Sequence, residues 1–419
     1  MSVYSHTGFL KAVLLHTFSA FGGPQGHYAM MLHSFVEKRQ DLTQKELVDL
    51  NAFCQLLPGA SSTQLLVLIG YKKGGFPLAL CTLLIWILPA TCIMGLFSIL
   101  FTQQHLADPL LHSFRYLQPM AVGFIAFATY VSLRFIYQQK PHFILSLTIG
   151  FICLVFYKSP LVFPVVLIMG GVSSYFFSKK SAVVSRDSPM RIRWVHLTFF
   201  IIIFILAGSL SGLSKREEWS SRPYFNLFEN CYRFGSIVFG GGDVMIPLMY
   251  EQYVARPTSK RVKTQNQNVL KIEQEIFLSG AGIVRSIPGP VFSIAAFAGG
   301  ASLKGKGILA QCIGILTATF AIFLPSLLLS LFFLPLWDYL HRFDILTPFL
   351  QGIHASTIGI MTASSLYLIK AILIPGTLAS FNMDYSSILI ILATVWFLKE
   401  RIFHPALIAM GCLLLGILM

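Results

Sequence analysis

The chain has 419 residues, of which 55% are hydrophobic and only 11% are charged, against about 25% charged residues in a soluble domain. So few charges cannot cover a water-facing surface of this size, and the composition therefore excludes a soluble protein. The formal net charge is +14, but the basic residues stand in short groups between apolar runs, which is typical of membrane loops rather than of a nucleic-acid surface. We predict a multi-pass membrane protein that lies in a lipid bilayer and has no nucleic-acid partner.

The first apolar region, residues 8–71, is interrupted twice. Phe21-Gly22-Gly23-Pro24 and Leu57-Pro58-Gly59-Ala60 each remove helical hydrogen bonds. Non-helical backbone at membrane depth is tolerated only inside protein or beside a water-filled cavity. The two breaks are therefore predicted to separate half-helices and to face a protein interior.

Five apolar stretches follow, each bounded by charged residues and each long enough to cross a hydrocarbon core of about 30 Å. They lie between Lys73 and Asp108, Arg115 and Arg134, Lys140 and Lys158, Lys158 and Lys179, and Arg193 and Lys215.

The second half of the chain repeats this order. Phe239-Gly240-Gly241-Gly242 lies 218 residues after the first Gly-Gly break, and Ile287-Pro288-Gly289-Pro290 lies 230 residues after the first Pro-Gly break. Further apolar stretches lie between Lys306 and Asp338, Asp344 and Lys370, Asp384 and Lys399, and after Arg401. We predict two homologous halves, residues 1–178 and 214–419, which are joined by a basic linker and an additional span over residues 179–213.

The orientation of the second half depends on the number of spans between the repeated motifs. Five spans separate them, and an odd number places the halves in opposite orientations. The positive-inside rule agrees for the first half but not for an inverted second half, where Arg256, Lys260, Arg261 and Lys263 would lie outside. We favour an all-α polytopic fold of two inverted repeats with interrupted, re-entrant helices, an arrangement typical of transporters.

These motifs resemble those of the chromate ion transporter family. Phe21-Gly22-Gly23-Pro24 with His27, followed by Gln55-x-x-Pro58-Gly59-x-x-Ser62-Thr63-Gln64, is similar to the N-terminal half of that family. Phe239-Gly240-Gly241-Gly242, Pro288-Gly289-Pro290 and Phe323-Leu324-Pro325 are similar to its C-terminal half. The resemblance implies a long-chain, two-domain member. Shorter members are half-length and act as pairs of opposite orientation, which favours the inverted arrangement.

Four positions depart from the usual family pattern. Ala60 stands where a second proline is usual, and Gly26 replaces an alanine. Arg285 takes the place that Gln55 holds in the first half, and Asp243 stands where a bulkier neutral residue is common. These departures concern substrate preference more than fold.

A chromate or sulfate ion is a tetrahedral dianion, and a helix N-terminus inside the membrane offers it backbone N–H groups and about half a positive charge. The residues at the two Pro-Gly breaks are therefore predicted to bind substrate. They are Gln55, Pro58, Gly59, Ser61, Ser62, Thr63 and Gln64 in the first half, and Arg285, Pro288, Gly289 and Ser293 in the second. The alternative is that both breaks are kinks that fit a tight helix bundle.

Other candidates have two interpretations each. His27 is a ligand or proton carrier, or a packing histidine, and Asp243 is a proton site or a helix cap. Arg285 is a binding group, or an interfacial arginine whose side chain extends to the membrane surface. The glycines of the Gly-Gly breaks let either an anion or a neighbouring helix approach the backbone. They are Gly22, Gly23, Gly240, Gly241 and Gly242.

We predict a secondary transporter of the cell membrane that exports an oxyanion, with chromate as the first candidate and chromate resistance as the result. The membrane potential would drive export, and proton coupling is left open. The alternatives are a carrier of the same fold for sulfate or another anion, with chromate as a mimic, and, remotely, a membrane-embedded enzyme. The sequence contains no Walker loop and no metal-ligand or nucleophile–base motif, so we expect no enzymatic activity, no metal and no cofactor. A homodimer is left open.

Overall fold

The computed structural model describes residues 6–21, 23–103, 111–156, 162–177, 194–239, 241–258, 269–337, 346–373 and 385–418. Within these ranges the chain forms α-helices with short π- and 3₁₀-helical turns and no β-strand. The predicted all-α fold is confirmed.

The first half consists of short helices followed by long ones. In chain order they are α1 (Thr7–Ser19), α2 (Gly23–Met31) with a π-helical continuation (Leu32–Lys38), α3 (Gln44–Leu56), α4 (Ser61–Leu100), α5 (Leu117–Ile136), α6 (Lys140–Phe156) and α7 (Val162–Phe177). A kink at Gly74 and Gly75 divides α4 into a half-helix and a long span.

The additional span is α8 (Trp194–Arg216), and the second half follows it. Its helices are α9 (Arg222–Ile237), α10 (Gly242–Tyr250) with a π-helical continuation (Glu251–Ala255), α11 (Gln274–Ser286), a 3₁₀ turn (Val291–Ser293) leading into α12 (Ile294–Ala301), α13 (Ile308–Phe333), α14 (Leu346–Leu373), α15 (Tyr385–Lys399) and α16 (Pro405–Leu418).

The repeat predicted from the sequence is present in the backbone. Three glycines of the first half have left-handed φ values, and each has a counterpart in the second half, where φ is also positive. The pairs are Gly23 (73°) and Gly241 (79°), Gly59 (113°) and Gly289 (118°), and Gly75 (69°) and Gly305 (84°). Only glycine adopts such values without strain. The two halves therefore share one architecture, in which α8 has no counterpart.

The described residues include ten apolar helical segments. α4, α5, α8, α13 and α14 are long and apolar enough to cross a membrane, while α6, α7, α12 with its 3₁₀ turn, α15 and α16 are shorter apolar helices. The second part of α4, α5, α6, α7 and α8 stand between Gly75 and Arg222. If all five cross, the hairpins of the two halves enter the membrane from opposite sides, which we call the Lys73 end and the Arg222 end. This count supports the inverted arrangement.

An ion pair closes the base of each helical hairpin that carries a Pro-Gly break at its tip. In the first half, Lys73 at the end of the α4 half-helix pairs with Asp41, whose other carboxylate oxygen lies 2.8 Å from Arg39 Nε. In the second half, Lys304 Nζ lies 3.1 Å from Glu273 Oε1. These pairs connect the two arms of each hairpin at its base.

A capping box begins α3 at the same base. The Thr43 side chain accepts a hydrogen bond from the Glu46 amide, and the Glu46 carboxylate accepts one from the Thr43 amide at 2.8 Å. The Thr43 amide, followed by Lys72, lowers the pKa of Glu46 to about 2. Local hydrogen bonds therefore fix the residue at which α3 begins. Because α3 has a set length, they also fix the position of the Pro58-Gly59 break that follows its other end.

The two halves pack into each other through small residues. Gly123 of α5 lies against Thr394 of α15, where a Cβ atom on the glycine would come within 2.8 Å of the threonine Cβ. Its counterpart Gly359 of α14 lies against α6, where a Cβ would come within 2.4 Å of the Ser146 carbonyl oxygen. Small residues allow this close approach of helices in membranes. The core is consequently shared between the halves.

Candidate functional site

Each Pro-Gly break is held by a hydrogen bond from the opposite half. The Gly59 amide donates to the Val238 carbonyl at 2.7 Å, and the Gly289 amide donates to the Ala20 carbonyl at 3.0 Å. Ala20 and Val238 are the residues that immediately precede the two Gly-Gly motifs. The two bonds are thus related by the repeat, and they bring all four sequence motifs together.

A serine completes the first break but not the second. The Ala60 amide donates to Ser326 Oγ at 3.1 Å, and Ser326 is 1% exposed. At the corresponding place in the second break, Pro290 has no N–H to satisfy, and Gly289 faces Ala90, so that a Cβ on Gly289 would lie 2.8 Å from the Ala90 Cβ. The first break has an N–H group at Ala60 that the second break lacks at Pro290, and the Ser326 hydroxyl accepts its hydrogen bond. This pairing accounts for alanine rather than proline at position 60.

These bonds correct one expectation from the sequence. The amides of Gly59, Ala60 and Gly289 are not available to a ligand, because each already has an acceptor inside the protein. The amides that remain are those of the following turns, which lack intrahelical acceptors by geometry. They belong to Ser61, Ser62 and Thr63, and to Val291 and Phe292, and no acceptor for them occurs in the part of the chain that the structure describes.

The match between Ala60 and Ser326 gives a testable prediction. Ser326→Ala leaves a buried N–H without an acceptor and should destabilise the protein by about 1–3 kcal/mol. Ala60→Pro removes that N–H at a residue whose φ of −82° lies close to the proline value. The double variant Ala60→Pro/Ser326→Ala should therefore recover much of the loss, as measured by unfolding in detergent. Additive losses in the double variant would contradict the pairing.

A cavity of about 830 Å³ lies beside the first break and between the two halves. Its polar and glycine lining comes from the Gly-Gly motif and α2, both ends of the first break, α5, α11, α14 and the α15–α16 turn. These residues are Gly23, Gly26, Gln55, Gly59, Ser61, Ser132, Arg285, His354, Arg401 and His404. Phe124, Phe127, Phe135 and Phe403 supply aromatic walls.

The electrostatics of this cavity favour an anion. Arg285 lies in the last turn of α11 and is 9% exposed, whereas Arg401 and His404 are exposed at the mouth. None of the lining residues that the structure describes is acidic. Gln55 and Arg285, which occupy equivalent positions in the two halves, reach the same cavity, so it combines amide, hydroxyl and guanidinium donors without a carboxylate that would repel an anion.

Two predicted residues after the first break hold the break itself. Thr63 Oγ1 accepts a hydrogen bond from Trp86 Nε1 at 3.0 Å, and Gln64 Nε2 donates to the Pro58 carbonyl at 2.8 Å. Neither residue lines the cavity, and Ser62 does not line it either. Ser61 is the hydroxyl of this turn that does.

Some of the remaining predicted residues pack inside the protein, and the others lie outside the described residues. Ser293 is 1% exposed and lies within the core. Gly242 packs against Val291, since a Cβ on the glycine would come within 2.4 Å of the valine Cβ, and Gly241 is buried beside it. Gly22, Gly240 and the Asp243 side chain lie outside the described residues.

His27 is buried against Trp86. The two rings meet edge to face with centroids 5.2 Å apart, and His16 stacks on Trp86 at 5.4 Å. His27 also lines a narrow space that it shares with Gly23, Arg285 and Gly289. Its ring therefore packs in the core and also borders the region between the two breaks.

Several residues of the site carry no motif in the sequence. Arg401 and His404 stand in a short turn, His354 stands in an apolar helix, and His16 is a single histidine in α1. Ser326 follows the repeated Leu-Pro pair and occupies the position that Ala90 holds in the first half. A polar side chain at this position was a signal in the sequence that it forms a hydrogen bond with the other half.

Comparisons with known proteins agree with this architecture. The family model described as "Chromate transporter" matches residues 8–175 and 225–417. A chromate transport protein of Pseudomonas aeruginosa is 22% identical over 86% of this chain and 79% of its own length, and one of Cupriavidus metallidurans is 22% identical over 95% and 89%. An uncharacterized transporter of Methanocaldococcus jannaschii is 25% identical over 82% and 79%.

No solved structure matches the chain. The family model, in contrast, covers both halves, including the two Gly-Gly motifs, the two Pro-Gly breaks and Arg285. The chain belongs to the chromate transporter family.

Proposed function

We propose that this protein is a secondary transporter that binds a tetrahedral oxyanion, chromate in the first place, in the cavity between its halves. The observation that carries the proposal is the convergence of Gln55, Ser61 and Arg285 on a cavity whose lining, among the described residues, contains basic and neutral residues but no carboxylate. The names of the relatives from Pseudomonas aeruginosa and Cupriavidus metallidurans support chromate as the substrate.

In this proposal each lining group has a distinct role. Arg285 supplies a charge-assisted hydrogen bond at the buried end of the cavity. Gln55 and Ser61 supply neutral donors, and the first-turn amides of α4 add the partial positive charge of a helix N-terminus. Arg401 at the mouth raises the local anion concentration.

Export would follow from the membrane potential alone. A dianion that leaves a cell with a potential of 100 mV, negative inside, gains about 4.6 kcal/mol, twice the value of about 2.3 kcal/mol per charge. That energy sustains a gradient of about a thousandfold at about 1.4 kcal/mol per decade. Proton exchange would add to this force, with His27 as the candidate carrier. Alternating access between two inverted repeats in the cell membrane would supply the pathway.

Sulfate is the second candidate substrate, since it has the same tetrahedral geometry and charge. The deciding experiment measures uptake of labelled chromate by liposomes that contain the purified protein under an imposed potential, with sulfate, molybdate and phosphate as competitors. We expect flux that rises with potential and that competing tetrahedral dianions reduce. Flux of an unrelated solute without any response to chromate would overturn the proposal.

A further inference from the structure

The helix α9 carries a polar stripe that its counterpart α1 lacks. Arg222, Asn226, Asn230 and Arg233 recur at helical spacing on α9. The first half has Gly8 at the position equivalent to Asn226. It has Ala12 and Leu15 at the positions equivalent to Asn230 and Arg233. Because the first half forms the same architecture without these groups, the fold itself does not require the stripe.

Asn226, Asn230 and Arg233 of the stripe form a connected network with Glu229, and this network extends toward the second Gly-Gly motif. Arg233 Nε donates to Glu229 at 2.8 Å, and its Nη2 donates to the Asn230 side chain at 2.8 Å. Asn230, which is 1% exposed, donates to the Asn226 side chain at 3.1 Å. At 1.5 Å per residue the stripe covers about 16 Å along α9. Such groups at membrane depth point to a water-filled path.

A cavity of about 270 Å³ lies over this stripe and is strongly basic. Its charged lining consists of Lys215, Arg222, Glu229, Arg233 and Arg256. Among the described residues, these four basic side chains and one acidic side chain give the lining a net charge of +3, with Glu229 paired to Arg233. Glu218 lines the adjoining hollow, where Lys306 and Arg222 also lie. Anions are therefore favoured in this cavity.

The count of spans places the basic cavity and the main cavity at opposite ends of the molecule. Arg401 at the mouth of the main cavity follows α13, α14 and α15, three spans that lead from the Arg222 end to the Lys73 end. We propose that the α9 stripe, with Arg222 and Arg256 at its outer end, is a second binding site for a tetrahedral oxyanion and forms the opposite mouth of the transport path. This inference rests on the proposed function.

The test uses a charge-matched pair of double variants. Arg222→Gln/Arg256→Gln removes two positive charges from the basic cavity. Arg216→Gln/Lys271→Gln removes two at the same end of the molecule from residues that do not line it; Arg216 has a side chain that is 83% exposed, and Lys271 is exposed as well.

The first readout is binding. A cysteine introduced by Asn226→Cys is labelled with a water-soluble maleimide, and labelling at that position is followed by peptide mass spectrometry. Sulfate should slow the labelling in the parent and in the control variant, but not in Arg222→Gln/Arg256→Gln. Labelling that sulfate never affects would overturn the site.

The second readout is sided transport by liposomes in which the orientation of the protein is known. For chromate added at the Arg222 end, the KM of Arg222→Gln/Arg256→Gln should rise by about two- to thirtyfold, as expected for the loss of two half-exposed charge contacts. The KM from the Lys73 end should stay unchanged. An equal change from both sides, or no change, would contradict a mouth at this end.

The outcomes separate this inference from the proposed function. If sulfate protects position 226 but no chromate flux occurs, the site stands and the chromate function fails. If flux occurs without protection, the function stands and the site fails. The labelling is repeated in phosphatidylcholine liposomes with and without phosphatidylglycerol. Protection that depends on phosphatidylglycerol rather than on sulfate would assign the site to a lipid headgroup and overturn the transport role.

Discussion

Exchange of Pro58 and Gly59 for alanine will abolish anion flux while the protein still inserts into the membrane. Gly59 has a φ of 113°, and a Cβ atom there would lie 2.2 Å from Ser326 Oγ, so alanine cannot hold the present backbone. Alanine is favoured over glycine in a helix by about 1 kcal/mol. Continuation of α3 into α4 would convert the first-turn amides of α4 into ordinary helical hydrogen bonds. Flux per inserted protein is the measurement.

Two control variants test whether flux is lost because the break is lost, because the backbone is strained, or because a side chain is lost. Gly75→Ala places alanine at a φ of 69° outside the cavity, where the nearest atom is 4.0 Å from the added Cβ. It should lower stability by about 1–2 kcal/mol and retain flux. Ser62→Ala should remove about 0.5–1.5 kcal/mol of hydrogen bonding at most and leave measurable flux. If Ser62→Ala is inactive while the alanine pair transports, the breaks are packing kinks and the anion binds elsewhere.

The corresponding change at the second break should have the same outcome. Gly289 has a φ of 118°, and a Cβ there would lie 2.8 Å from the Ala90 Cβ. Exchange of Pro288 and Gly289 for alanine therefore disturbs the contact with the opposite half that is equivalent to the one at the first break. Transport that survives this change but not the first would show that the two repeats differ in function.

The substitution Arg285→Gln will raise the KM for chromate by about ten- to hundredfold without preventing folding. Glutamine is the residue of the first half at the equivalent Gln55, so the side chain suits this position of the repeat. The loss corresponds to about 1.5–3 kcal/mol for a hydrogen bond to a charged group. Initial rates at a fixed membrane potential give the KM, and thermal unfolding in detergent confirms that the variant is folded.

Arg401 at the mouth of the cavity provides a control for the effect of burial on the Arg285 substitution. Arg401→Gln removes the same charge from an exposed residue of the same cavity, so the expected loss is about 0.2–1 kcal/mol and should decrease at high salt. Unchanged affinity in a folded, inserted Arg285→Gln protein would assign Arg285 to the membrane interface and remove it from the site.

The sequence alone determined the features that depend on local chemistry. The Gly-Gly and Pro-Gly motifs combine residues that disfavour a continuous helix, so both pairs of breaks were predictable. Apolar runs bounded by charges indicated the spans, including the additional span α8 (Trp194–Arg216). The repeated order of these signals predicted the two halves, and Arg285 was identified as a charged residue at the edge of the second break.

Only the tertiary structure decided how the breaks are satisfied and what surrounds them. The acceptors of the Gly59 and Ala60 amides, Val238 and Ser326, come from the other half of the chain, with Ala60 and Ser326 separated by 266 residues. Arg401 and His404 reach the cavity because α15 and α16 pack beside the first half. A hydrogen bond or a shared cavity depends on distance in space, which local propensity and hydrophobic length do not specify when the partners lie in different repeats.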